Sequence, residues 1–106
     1  MVEPGIIDTA MARRIGEDEP SLYPHRARIA TLFASKLAQA PVSPKVVATK
    51  VLEVAKNETW QLRHPVGPDA LPLIAWRKSM SDEDWIDLHS ADDETFRRLM
   101  DAYTGA

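Results

Sequence analysis

Along most of this chain the apolar residues fall at helical spacings. Between Pro24 and Ala40 they recur every three or four positions as Ile29, Leu32, Phe33, Leu37 and Ala40, which places them on one stripe of a helix. Arg26, Arg28 and Lys36 lie off that stripe. Pro41 stops the helix, because the residue before a proline is pushed out of the helical region. A second helix is predicted from Ser43 to Asn57. Ser43 is a good N-cap, Pro44 suits the first helical position, where no backbone donor is needed, and Asn57 tolerates the left-handed conformation that often closes a helix. Val47, Val51 and Val54 form its apolar line, flanked by Ala48, Leu52 and Ala55. A further helix is predicted over residues 70–78, with Pro72 near its start. Another follows Ser81, with Asp82, Glu83 and Asp84 at its positive end. A terminal helix, starting at Asp92 or Asp93 within 90–106, carries Phe96, Leu99, Met100 and Tyr103 at the i, i+3, i+4, i+7 positions.

One stretch departs from this pattern. Trp60 to Val66 reads Trp-Gln-Leu-Arg-His-Pro-Val and is predicted as a strand, with Trp60, Leu62 and Val66 on one face and His64 sharing it by parity. Pro65 cannot donate to a ladder, so its end is an edge or an exit. Pro4-Gly5 and Gly67-Pro68 are turn signals. Residues 10–23 read as a short helical turn and a polar loop holding Arg13, Arg14 and the acidic run Glu17-Asp18-Glu19. A lone strand leaves donors and acceptors unpaired on both sides. Residues 1–4 form a stub that is too short to pair well. Three explanations stand: the stretch is an extended loop, it pairs with a second copy of the chain, or its neighbours belong to a sheet that this chain lacks.

Composition narrows the class. The chain has 106 residues and is 44% apolar, which allows one segment with a core and argues against wholesale disorder. The net charge of −3 excludes a broad basic surface for nucleic acid. Cysteine is absent, which removes disulfides, thiolate chemistry and cysteine-based zinc sites. No apolar run approaches the roughly 20 residues that cross a bilayer, and the first residues lack a basic region followed by an apolar stretch. The expectation is a cytoplasmic chain with no membrane or nucleic-acid partner.

Two motifs in order carry a resemblance. Pro4-Gly5-Ile6-Ile7-Asp8-Thr9 is similar to the Pro-Gly-x-Val/Ile-x-Thr segment that follows the sixth parallel strand of the short-chain dehydrogenases/reductases. Leu62-Arg63-His64-Pro65-Val66-Gly67-Pro68-Asp69-Ala70 is similar to that family's final strand and exit turn. Ser43 to Asn57 resembles the long helix before that strand, and the stretch between the motifs has the length of the family's substrate-covering helices. From residue 1 to roughly residue 80 the chain therefore resembles the C-terminal segment of such an enzyme. The resemblance implies an α/β fold, the C-terminal part of a Rossmann-type doubly wound sheet, present as a mostly helical piece with one or two short strands. It implies NAD or NADP as cofactor and hydride transfer between nicotinamide and an alcohol or carbonyl substrate. Pro4 and Gly5 then bring the backbone beside the nicotinamide, the Ile7 backbone pairs with the carboxamide, and the Thr9 hydroxyl contacts carboxamide or pyrophosphate. Residues 10–40 match the variable helices that close over substrate. The implied partner is the missing N-terminal sheet or a second copy of the chain in a homo-oligomer.

The family's chemistry lies elsewhere. The glycines are Gly5, Gly16, Gly67 and Gly105, too dispersed for a phosphate-cradling turn. Tyr23 is followed four residues later by Ala27 rather than by lysine, so the Tyr-x-x-x-Lys proton-transfer pair is missing. No catalytic residue is expected in this chain, the isolated chain is expected to be inactive, and it is not expected to bind the whole cofactor. The alternative reading is a self-sufficient small helical interaction module that dimerises through residues 60–66. The remaining clusters have ordinary explanations. His25, His64 and His89 sit in three elements without ligand spacing, so no metal site is expected. Asp82-Glu83-Asp84 and Asp92-Asp93-Glu94 open helices. Trp60, Trp76 and Trp85 are expected in the core or at helix contacts. Arg13-Arg14 are expected to be solvated rather than bound to a cofactor phosphate, and Thr9 can cap the helix after it.

Overall fold

The computed structural model describes residues 1–15 and 20–104. The order of elements is β1 (Val2–Pro4), α1 (Ala10–Arg13), α2 (Arg26–Gln39), α3 (Pro44–Lys56), β2 (His64–Val66), α4 (Ala70–Lys78), α5 (Asp82–Ser90) and α6 (Asp93–Thr104). The molecule is mostly helical with two short parallel strands, an α/β-type arrangement. It forms two compact units, Met1–Leu71 and Pro72–Ala106.

The first unit is built on the strand pair. β1 and β2 run parallel with Val2 opposite His64, Glu3 opposite Pro65 and Pro4 opposite Val66. Parallel strands cannot be joined by a tight hairpin; here α1, α2 and α3 make the crossover, and α3 packs against both strands. His64 N–H donates to Met1 C=O at 2.9 Å and Gly5 N–H to Val66 C=O at 3.0 Å, so the ladder continues past the strand ends. Glu3 and Arg63 form an ion pair across the strands. The stub at residues 1–4 therefore does pair, contrary to the expectation from its length. The strand expected from Trp60 is shorter than its alternation suggests. It begins at His64, and Trp60 is fully exposed, because β1 is too short to offer it a partner.

The helix caps follow the local chemistry. Ser43 accepts from Lys45 N–H with Pro44 in the first turn. Asn57 closes α3 in an extended conformation, not a left-handed one; no non-glycine residue among those described has a positive φ. The apolar lines are only partly covered. Leu37 is buried on α2 while Leu32 and Phe33 are half-buried and Ile29 is exposed. On α3, Val47 and Val54 are half-buried, whereas Val51 and Leu52 are 50% and 54% exposed. Among the described residues no large side chain is completely buried.

The second unit packs α5 against α6. A capping box starts α5: Ser81 Oγ accepts from Asp84 N–H at 3.0 Å and Asp84 Oδ2 accepts from Ser81 N–H at 3.2 Å. Asp92 opens α6, accepting from Thr95 N–H at 2.9 Å and from its hydroxyl at 3.1 Å. Thr95 holds the Asp92 carboxyl below the usual carboxylate range, chiefly through its backbone N–H and then through its hydroxyl. Leu88, Phe96 and Met100 are buried. The side chain of Tyr103 and the acidic run Glu17-Asp18-Glu19 lie outside the described residues. Among those described, no helix is long and apolar enough to cross a membrane.

Candidate functional site

The loop from Gly5 to Thr9 leaves the carboxyl end of β1, the end where open α/β sheets bind their ligands. Its geometry is set by contacts far away in the sequence. Gly5 is bonded to Val66, as described. Ile6 N–H donates to Asp69 Oδ2 at 2.9 Å, and Asp8 N–H donates to Val42 C=O at 2.8 Å. Of the four amides from Gly5 to Asp8, only that of Ile7 has no partner among the described residues, and the Ile7 carbonyl is free as well. A donor and an acceptor on one residue are thus left available between the tied amides of Ile6 and Asp8.

Gly5 is required by space rather than by its torsion angles. A Cβ built on it would overlap Oδ1 and Cγ of Asp69 and lie 2.8 Å from Oδ2. Gly67 serves the other glycine role. Its φ of +95° turns the chain sharply after β2, and this turn returns Asp69 to the Pro-Gly loop. The two short motifs therefore meet, Gly5 and Ile6 from the first against Val66, Gly67 and Asp69 from the second.

The far end of the loop is pinned by a second carboxylate. Asp8 accepts from Arg13 Nε at 2.6 Å and from Arg13 Nη2 at 2.7 Å, a two-pronged ion pair. The Arg13 guanidinium holds the Asp8 carboxyl below the usual carboxylate range, mainly by its hydrogen bond, and Asp8 in turn raises Arg13. Thr9 Oγ1 accepts from Ala12 N–H at 3.1 Å and caps α1. Its hydroxyl proton is still available to donate.

Of the four residues expected at the cofactor, Gly5, Ile7 and Thr9 lie on this loop and Pro4 is the last residue of the strand before it. Each has a different local duty. Pro4 ends β1, Gly5 makes room for Asp69, Ile7 presents free backbone groups and Thr9 caps α1. Arg13 is engaged by Asp8, and Arg14 Nε donates to Ala10 C=O at 3.2 Å. Asp69 and Asp8 went unassigned in the sequence motifs. The signal for Asp69 was the Gly-Pro-Asp order after the strand, which allows a carboxylate to be turned back toward the neighbouring strand.

The other clusters make local contacts. Trp76 and Trp85 meet edge to face with centroids 5.4 Å apart, Arg77 lies 5.2 Å above the Trp85 ring, and His89 stacks between Trp85 and Phe96. Trp60 departs from the core or helix-contact position expected of it. Asp82 pairs with Arg77, and Asp84 belongs to the capping box. His64 Nε2 lies 2.8 Å from Gln61 C=O and His89 Nδ1 lies 2.8 Å from Trp85 C=O. Among the described residues no group of three or more histidines and carboxylates is placed to hold a metal ion. An open groove of about 610 Å³ in the second unit is lined by Trp76, Met80, Leu88 and Leu99 with Asp84 and Asp87.

Fold and site together define a small α/β chain whose one parallel strand pair carries a pinned loop at its carboxyl end. Compared with protein-family models, with curated proteins and with solved structures, the chain finds no match.

Proposed function

We propose that this chain is the C-terminal portion of a nicotinamide-dependent oxidoreductase of the short-chain type, in which it supplies the nicotinamide-side loop and the substrate-covering helices. The observation that carries this reading is the state of Ile7. Between the paired amides of Ile6 and Asp8, its N–H and C=O stand free among the described residues at the carboxyl end of a parallel strand. A nicotinamide carboxamide needs one acceptor and one donor at fixed spacing, and backbone supplies both without rotamer entropy. The Thr9 hydroxyl, two residues on, retains a proton to donate. The residues present thus fit the nicotinamide end of NAD or NADP, with Ile7 and Thr9 holding it. When bound, the cofactor supplies the hydride; Pro4 and Gly5 shape the loop, and the chain contributes no proton-transfer group.

The sheet supports the same reading. In β1, Met1, Glu3 and Gly5 face β2, so by alternation Val2 turns its N–H and C=O to the opposite side. No strand among the described residues lies there. On β2 the outward residue is Pro65, and on β1 Pro4 also faces outward; neither has an N–H. The outer side of β1 thus keeps one full donor-and-acceptor pair to share, that of Val2. Parallel sheets are normally covered on both faces and contain more strands than two. The exposed Val51 and Leu52 of α3 and the exposed Ile29 of α2 are further surface for a larger body. In this reading β1 and β2 are the last two strands of a Rossmann-type sheet, and the glycine-rich turn and Tyr-x-x-x-Lys pair come with the rest of it.

Reading the DNA upstream of the Met1 codon tests the proposal. An in-frame glycine-rich turn and Tyr-x-x-x-Lys are expected; a stop codon and a promoter directly upstream would sink it. Circular dichroism gives a second test. The purified 106-residue chain is expected to melt broadly, and a sharp cooperative transition would count for a self-sufficient module instead.

A further inference from the structure

We propose that Asp69 is the positioning residue of the Gly5–Thr9 loop, setting the direction in which Ile7 presents its backbone; the inference rests on the nicotinamide reading above. After Val66 the left-handed turn at Gly67 and the fixed φ of Pro68 bring the Asp69 carboxylate against the loop. Oδ2 accepts the Ile6 N–H at 2.9 Å. Oδ1 occupies the space that a side chain at residue 5 would fill. Oδ1 is also buried and has no hydrogen-bond partner among the described residues.

A buried carboxylate oxygen without a donor is costly. In the proposed role this cost is offset by what the contacts of Asp69 hold in place. With the Ile6 amide tied to Asp69 and the Asp8 amide tied to Val42, the stretch between them loses its freedom to rotate. Ile7 is then held in one orientation before any ligand arrives, which is how a site avoids ordering its backbone at the moment of binding. Asp69 acts through the loop and touches no ligand itself.

The test uses the ¹⁵N-labelled chain and the variants Asp69→Asn, Asp69→Ala and Gly5→Ala. Hydrogen-exchange protection at the Ile6 amide, referenced to amides of α3, is expected to fall about tenfold or more in Asp69→Ala. Asp69→Asn, whose amide oxygen still accepts, is expected to keep most of it. Nicotinamide mononucleotide, which probes only the nicotinamide end, is then titrated at millimolar concentration. It is expected to shift the Ile7 amide resonance in the wild type and in Asp69→Asn, with an apparent Kd about tenfold weaker in Asp69→Ala. Unchanged Ile6 protection in Asp69→Ala overturns the role of Asp69, whatever the nucleotide does. Loss of Ile6 protection combined with an Ile7 resonance that ignores the nucleotide in the wild type overturns the nicotinamide reading, and with it the purpose given to the tether. If Asp69→Ala unfolds the chain, Gly5→Ala decides. Its methyl group displaces the carboxylate, so Ile6 protection has to fall there too, and retained protection overturns the proposal.

Discussion

Two glycines in this chain do different physical work, and their substitution separates the two. Gly67 sits at φ +95°, a region that costs an L-residue about 1–2 kcal/mol or more. Gly67→Ala is therefore expected to destabilise the chain by at least about 1 kcal/mol in urea denaturation. Gly5 has an ordinary φ, and its lack of a side chain is what admits Asp69. Charge sets a second property. Asp8 titrates below the usual carboxylate range because Arg13 binds its ionised form. Its contribution to folding is present in full above the unfolded-state value and is lost as pH falls through the lower folded-state value. The midpoint of denaturation is expected to drop on the acid side, and Asp8→Asn is expected to flatten that limb in a pH series. Neither carboxylate could be paired from the sequence. Asp8 finds its arginine one helical turn on, but nothing local distinguishes Arg13 from Arg14. Asp69 finds its partner on the loop after β1, at the opposite end of the first unit.

Helices were the elements most legible in the sequence, because a helix closes its own hydrogen bonds and its caps are local. Ser43, Pro44 and Ser81 act where their chemistry places them, and α4 spans the expected residues. The strand was the least legible. Its alternation begins at Trp60, yet a strand exists only where another backbone answers it, and β1 answers only His64 to Val66. The shortness of residues 1–4 argued against pairing, but Met1 and Gly5 extend the ladder beyond the strand limits. In the second unit, α5 and α6 depend on a small aromatic contact in which His89 links Trp85 to Phe96. Phe96 is buried, so Phe96→Ala is expected to open a cavity there and loosen this contact. Loss of the near-ultraviolet dichroism of Trp76 and Trp85 would report it.

Taken as a body, the chain covers its apolar surface poorly. Leu22, Trp60, Leu62, Leu71 and Ile86 are exposed along with the faces of α2 and α3. Folded monomers seldom leave contiguous apolar patches above a few hundred Å². The isolated chain is expected to enhance the fluorescence of an apolar dye and to self-associate in sedimentation, and adding the proposed remainder of the sheet in trans is expected to reverse both. A dye-silent monomer would favour the self-sufficient module.

Residue order alone determined the helices, the serine caps at Ser43 and Ser81, the two turns and the loop that follows Pro4, since each depends on neighbours within a few positions. It also limited the chemistry, because no phosphate-cradling glycines and no tyrosine–lysine pair occur in it. Folding in three dimensions decided that residues 1–4 pair with residues 64–66 in parallel, that Asp69 lies against Gly5, and that Ile7 keeps a free N–H between the tied amides of Ile6 and Asp8. Those outcomes join segments at opposite ends of the first unit, and no local spacing encodes such a meeting.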